Sequence, residues 1–236
     1  FIKDIKIYLN PTQLIIIRSS IYPQTFDKIL KELGPKKKWN LAYCPERIVQ
    51  GFAIKEFQEL TQIVSGVTNE ATKKASNLFK KISKKVILTS VGEAELAKLF
   101  SNAWRYIQFG IANQFYMISK DYGEDYNKIR EIMMDGYERT KGLPASGFAA
   151  GPCLLKDTMQ LSSFYNNRFL LGQAAMNINE GLPNYIIDRL KDFMDLESKK
   201  VGILGMAFKA DVDDIRDSLS YKLRKILVFN GALVLC

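Results

Sequence analysis

Apolar residues fall in short blocks along the first ninety positions of the chain. Residues 14–17 form an apolar run rich in β-branched side chains, which predicts a buried strand. Residues 25–33 predict a helix that ends at Gly34-Pro35. Further strands are expected at 41–43, 63–65 and 86–89, with a helix over about 69–81 before the last of them. Near-continuous apolar strands alternating with helices predict a parallel sheet covered on both faces.

The period then changes. Ser90-Val91-Gly92-Glu93 has the Ser-x-x-Glu pattern of a capping box and opens a helix expected to reach about Asp121. Leu96, Leu99, Phe100, Ala103, Ile107, Ile111, Phe115 and Ile118 recur along it at helical spacing. Trp104, Tyr106, Phe109 and Met117 add apolar surface around the cylinder, so burial on most sides is expected. Helices follow at about 126–135 and from 157 through 190, interrupted only by a Gly-, Ala- and Pro-rich loop over 136–152. A third unit begins near Lys199, with a strand at 201–204, a loop over 205–214 and a helix over 218–229. Asn230-Gly231 ends that helix, and 232–235 starts another strand. The fold class is α/β. A βαβ beginning without the rest of its sheet cannot bury both faces, so the chain is expected to be cut at both ends.

Composition narrows the chemistry. The chain has 236 residues, 47% apolar and 25% charged, which is ordinary globular composition. No apolar run approaches the ~18–20 residues that span a bilayer, so no membrane insertion is expected. Cys44, Cys153 and Cys236 are far apart and form no Cys-x-x-Cys pair, which suits a reduced, cytoplasmic setting. Histidine is absent, which removes His triads, His bases and His metal sites; no metal is expected. The net charge of +9 suits an anionic partner. Yet the lysine clusters (36–38, 73–74, 80–81, 84–85, 199–200) are scattered, which favours solvated surface lysines over a nucleic-acid stripe.

The most informative segment is Gly147-Phe148-Ala-Ala-Gly151-Pro-Cys153-Leu-Leu-Lys-Asp157. It sets Cys153 in a small-residue loop before a helix start, and Asp157 one turn later. A free thiol ionises near pH ~8.5, and the positive end of a helix dipole favours the thiolate. Cys153 therefore reads as a nucleophile. Lys98 and Asn102 are four apart on the long helix and share a face. Together they suit an alkoxide or oxyanion, or else they mark a partly exposed edge. Glu46, in Tyr43-Cys-Pro-Glu46-Arg47-Ile-Val-Gln50-Gly51, follows a strand in a loop where ligands of open sheets bind. It is either an acid/base group or a solvated turn residue. Ser19 and Ser20, after the first strand, read as turn chemistry. Gly202-Ile-Leu-Gly205-Met-Ala-Phe-Lys209 is Gly-rich but is not Gly-x-Gly-x-x-Gly, and no such fingerprint occurs in the chain.

In order along the chain, Arg-Ser-Ser-Ile-Tyr-Pro, Cys-Pro-Glu-Arg-Ile-Val-Gln-Gly, Ala-Glu-Leu-Ala-Lys-Leu-Phe-Ser-Asn, Gly-Phe-Ala-Ala-Gly-Pro-Cys-Leu-Leu-Lys-Asp and Gly-Met-Ala-Phe-Lys-Ala-Asp-Val-Asp-Asp-Ile-Arg-Asp-Ser resemble the UDP-glucose/GDP-mannose dehydrogenase family. The resemblance implies the later half of an N-terminal Rossmann-like NAD-binding domain over 1–90, a central helical dimerisation domain over 91–196, and the start of a C-terminal Rossmann-like UDP-binding domain over 197–236. It implies a two-step, NAD-dependent oxidation of a UDP-sugar C6 alcohol to the acid. Cys153 would form a thiohemiacetal and then a thioester. Lys98 and Asn102 would stabilise the oxyanion, Asp157 would position water or a proton carrier, and Glu46 would serve thioester hydrolysis. Ser20, Gln50 and Arg216 would contact NAD. Glu46, Arg47, Lys98, Phe148, Gly151 and Lys209 would contact the sugar nucleotide. Cys-Pro-Glu-Arg-Ile, where glucose-specific members usually read Asn-Pro-Glu-Phe-Leu, resembles the branch acting on UDP-N-acetylhexosamines. Gly-Pro-Cys replaces the commoner Gly-Gly-Ser-Cys. A homodimer through the long helix is implied. Two alternatives stand beside this: a single-step dehydrogenase of the β-hydroxyacid type, and an inactive fragment that keeps only the dimerisation core.

Overall fold

The computed structural model describes residues 1–34, 39–49, 51–149 and 151–236. The expected cofactor contact Gln50 and the lysines at 36–38 lie outside these. The chain divides into two compact units, Phe1–Ser101 and Asn102–Cys236.

The first unit contains α1 (Ile2–Ile5), a 3-10 turn, β1 (Leu14–Ile17), α2 (Thr25–Leu33), β2 (Asn40–Tyr43), α3 (Ala53–Glu59), β3 (Gln62–Gly66), α4 (Asn69–Phe79), β4 (Val86–Leu88) and the start of α5 (Val91–Asp121). The strands form one sheet in the order β1-β2-β3-β4. The pairs β1–β2 and β3–β4 are parallel, as expected. The β2–β3 pair is antiparallel, with Ala42 opposite Gly66 and Tyr43 opposite Ser65, so the all-parallel expectation is corrected. A strand buried on both faces shows the same apolar run whichever way it points, and its pattern carries no direction. The short α1 and α3 were also not expected from the pattern.

Side chains alternate across the sheet. Leu41, Tyr43 and Ile63 join Phe26 and Leu33 of α2 and Ala94 of α5 on one face. Ala42, Cys44 and Val64 join Ala75 and Phe79 of α4 on the other. The capping box forms: Ser90 Oγ accepts from Glu93 N at 3.2 Å, and Glu93 accepts from Ser90 N at 2.9 Å. The hydrogen bonds from Thr89 and Ser90 hold the Glu93 carboxyl below its usual pKa. The buried Glu95 of α5 accepts from Gln24 N at 2.9 Å and Phe26 N at 3.3 Å, and so caps α2.

The second unit contains the rest of α5, α6 (Tyr126–Met134), a 3-10 turn at Glu138–Thr140, α7 (Leu154–Phe164), α8 (Leu170–Lys191), β5 (Lys200–Gly202), α9 (Leu219–Phe229) and β6 (Leu233–Leu235). The helix expected from 157 through 190 is two helices. Asn166 and Asn167 take φ of 52° and 58° between them. Asparagine tolerates this left-handed conformation, so an Asn-Asn pair can end a helix without glycine. β5 and β6 pair in parallel, and α9 packs on them and on α8 through Ile187, Leu196, Leu227 and Ala232. α5 and α8 approach closely at Gly110, where a Cβ would stand 3.1 Å from Ala175 Cβ.

Burial of α5 on most sides is not what the structure shows. Within the second unit Trp104 is 61% and Ile118 56% exposed, and Ile111 and Phe115 are exposed as well. The period counts apolar positions but does not say which of them this chain covers.

Candidate active site

In the second unit Cys153 is the N-cap of α7, with its thiol exposed. The small-residue loop before it and the eleven-residue helix after it place the sulfur at the positive end of the helix dipole. Asp157 sits one turn on and donates its backbone N–H to Cys153 O at 2.9 Å. Its carboxylate is fully buried. Asn102 Nδ2 donates to Asp157 Oδ2 at 2.6 Å, and Lys156 Nζ lies 3.0 Å from Oδ1. A buried carboxylate with an amide on one oxygen and an ammonium beside the other is less costly than an isolated one. Cys153 and Asp157 are thus neighbours in the first turn with opposite environments, one in solvent and one in the core.

The loop that delivers Cys153 is fastened at two points. Asn113 Nδ2 donates to Gly147 O at 2.9 Å and to Asn179 Oδ1 at 2.8 Å, and its Oδ1 accepts from Gly147 N at 2.8 Å. Asn179 Nδ2 in turn donates to Tyr106 O at 3.0 Å. At the other end Gly151 has φ +100°, and a Cβ there would stand 2.6 Å from the Phe208 ring. Gly151 N donates to Asp217 O at 3.2 Å. Loop 205–217 therefore lies against the thiol loop. It carries the half-buried Lys209 and the exposed Arg216. Arg216 is held by Asp214 through contacts of 2.6, 3.0 and 3.1 Å, which push its pKa up. Phe148 is half-buried and lines a cavity of about 300 Å³ with Tyr116, Ser146, Gly147, Leu182 and Ile186.

In the first unit Glu46 follows β2. Its Oε1 accepts from the backbone N–H of Arg47 at 2.7 Å and of Ile48 at 2.9 Å, while Oε2 pairs with Arg18. The Arg47 guanidinium donates to Thr61 O and lines a cavity of about 570 Å³ with Glu59, Thr61, Thr89 and Glu93. Ser20 and Lys98 are half-buried. Cys44 is buried, and burial pushes its thiol up to about 11, against the opposing effects of the Ser65 backbone and the Arg18 charge. It is a core thiol, unlike Cys153.

Sequence reasoning missed Arg18, Asn179, Lys156 and Phe208. The one signal for Arg18 was its place as the first charged residue after an apolar strand. The partners of Asn179 and Phe208 are far apart in sequence, and Lys156 pairs with its own neighbour Asp157, which no spacing rule singles out.

An exposed helix-start thiol beside a buried amide–carboxylate pair is the chemistry that the second unit offers. Two family models match the chain. The model for the UDP-glucose/GDP-mannose dehydrogenase family, NAD binding domain, matches residues 1–86, and that for the central domain of the same family matches residues 92–181. The chain belongs to the UDP-glucose/GDP-mannose dehydrogenase family. It is 30% identical to the UDP-N-acetyl-D-mannosamine dehydrogenase of Methanocaldococcus jannaschii, over 100% of this chain and 55% of that protein. It is 27% identical to the UDP-glucose 6-dehydrogenase of Rickettsia bellii, over 99% of this chain and 56% of that protein. Its fold is similar to that of a solved UDP-D-ManNAc dehydrogenase from Pyrococcus horikoshii, with TM-score 0.88 and 28% identity over 99% of this chain and 58% of that one. The chain spans about half the length of the relatives it matches.

Proposed function

We propose that the complete protein is an NAD-dependent nucleotide-sugar 6-dehydrogenase that converts the C6 alcohol of a UDP-N-acetylhexosamine, UDP-N-acetylmannosamine first among them, to the acid. The observation that carries this reading is Cys153 at the start of α7 with the buried Asp157–Asn102 pair behind it. The names of the relatives and the Cys44-Pro-Glu46-Arg47 motif support the acetylated sugar. The domain limits 1–90, 91–196 and 197–236 remain part of the proposal. Free thiols at Cys44, Cys153 and Cys236 suit a cytoplasmic setting.

NAD, when bound, supplies the hydride acceptor for both oxidations. Of the residues present, the Ser20 hydroxyl after β1 suits a ribose or a bound water, and the exposed Arg216 guanidinium, paired with Asp214, suits a phosphate; the chain holds no Gly-x-Gly-x-x-Gly turn for the pyrophosphate. Lys98 and Asn102 stabilise the alkoxide as the C6 alcohol passes its proton to solvent water and gives up its hydride. Asn102 spends one N–H on Asp157 and has a second to offer. The Cys153 thiolate adds to the resulting aldehyde to give a thiohemiacetal, and loss of the second hydride leaves a thioester. Water then adds to the thioester carbonyl as Glu46 takes its proton. The C–S bond breaks, and the thiolate leaves with the acid released. Asp157 holds Asn102 and the first turn of α7 in register for these steps. Arg47, Phe148, Gly151 and Lys209 bind the sugar nucleotide.

The exposed stripe of Trp104, Ile111, Phe115 and Ile118 supports a homodimer through α5. Counting NADH against product tests the function. Two NADH per acid formed are expected, and Cys153→Ser abolishes acid formation. One NADH per sugar, with a carbonyl product, would replace this reading with the single-step type.

A further inference from the structure

The step assigned to Glu46 needs its carboxylate fixed and ionised, and the first unit supplies a holder for it. Beyond the parallel pair β1–β2, backbone bonds continue from Cys44 N to Ile17 O at 2.9 Å and from Glu46 N to Arg18 O at 3.0 Å. They set the Glu46 loop in register with the residue after β1. The Arg18 side chain then turns to that same loop. Its guanidinium lies 5.2 Å from the centre of the Phe57 ring and 4.9 Å from that of Phe79, and those rings, one from α3 and one from α4, stand 6.4 Å apart, so it rests against the pair. Gln62 Oε1 accepts from it at 3.4 Å. What remains of its donor fork meets Glu46 Oε2. The other oxygen, Oε1, is engaged by two backbone N–H groups. Each carboxylate oxygen therefore has an assigned donor, and the cation among them is itself fixed by packing.

We propose that Arg18 is a positioning residue for the hydrolytic half of the reaction: seated against Phe57 and Phe79, it keeps Glu46 aligned to take the proton of the water that attacks the thioester. The proposal rests on the reading of Glu46 as that base. It separates two parts of the reaction, since both hydride transfers precede the water and do not call on Arg18.

Three variants of the complete protein test it, with NAD and UDP-N-acetylmannosamine as the probe. Arg18→Met keeps apolar bulk against the rings and removes the charge. Arg18→Gln removes the charge with a smaller change in polarity. Arg18→Lys keeps the charge and loses the planar fork. In a single turnover the Met and Gln variants are expected to release two NADH per site at the parent's rate. Steady-state acid formation should fall at least tenfold, and mass spectrometry of the Cys153 peptide should show the sugar thioester accumulating. The Lys variant should recover part of the loss. Acid formation at the parent's rate in Arg18→Gln or Arg18→Met overturns the proposal. So does an equal loss of NADH release and acid formation that Arg18→Lys does not repair, because that is the signature of a structural cation alone. A parent protein that forms no acid overturns the function reading, and the proposal with it, before any variant is made.

Discussion

Asn113 is the residue on which the thiol loop turns. Asn113→Ala removes three hydrogen bonds: two to the Gly147 backbone and one to Asn179 Oδ1. Their environments differ, which sets the magnitude. Gly147 lies at the surface, so water can replace the lost partners, and each bond is worth about 0.5–1.5 kcal/mol net. Asn179 is wholly buried, so its oxygen would be left dry, at about 1–3 kcal/mol. The sum is roughly 2–6 kcal/mol, a large share of an ordinary domain's stability of about 5–15 kcal/mol. Asn113→Asp keeps the shape and the acceptor for Gly147 N, but it sets a carboxylate oxygen against Gly147 O and Asn179 Oδ1. It should cost at least as much as alanine. Urea titration read by hydrogen exchange on peptides from α5 and α8 measures the global loss. The rate of Cys153 alkylation by iodoacetamide reads the loop, and should rise in both variants as the segment 147–153 loosens. A loss below about 1 kcal/mol with unchanged alkylation would show that Asn113 does not hold the loop.

The pKa of Cys44 makes a second test. Burial raises this thiol from 9.0 to about 11, so between those values the unfolded chain has lost a proton that the folded chain keeps. Stability should therefore fall as pH rises through that window, by about 2 kcal/mol in all. The difference in urea midpoint between pH 8 and pH 11 should be smaller in Cys44→Ala than in the parent; equal differences would refute the assignment. Gly151→Ala puts a methyl group into the Phe208 ring at a left-handed position and should lower both thermal stability and acid formation, whereas wild-type values for both would show that the two loops do not touch. If the α5 stripe joins two copies, Trp104→Glu with Ile118→Glu should halve the mass seen by sedimentation equilibrium; an unchanged mass sinks the dimer.

The strands and helices were legible because each is a local pattern. The capping box at Ser90 and the N-cap at Cys153 need only neighbouring residues, and both formed. Expectation failed where a tertiary choice decides. The direction of β3 depends on which strand it finds, and the break at Asn166-Asn167 depends on a conformation that helix periodicity does not score. The exposed side of α5 failed for a related reason: counting apolar positions cannot tell a core face from an exposed one.

The candidate site divides along the same line. Cys153, Lys98, Asn102 and Glu46 could be singled out because their residue types are scarce in such surroundings. Their holders could not, since Asn102 meets Asp157 across 55 positions, Asn113 meets Asn179 across 66 and Arg18 meets Glu46 across 28. This division has a consequence for the chemistry. A thiol, an amide and a carboxylate are common side chains, and what distinguishes a reacting group is that its neighbours leave it one orientation. Asp157 shows it most directly. The family resemblance implies that Asp157 positions water or a proton carrier, but the carboxylate is buried and its close contacts are Asn102 and Lys156. In the proposed reaction its work is on the amide: it would fix the Asn102 side chain by one N–H and leave the other for the oxyanion. Asp157→Asn would let that amide rotate, so the variant should lose the oxidation steps while its Cys153 still alkylates at the parent's rate.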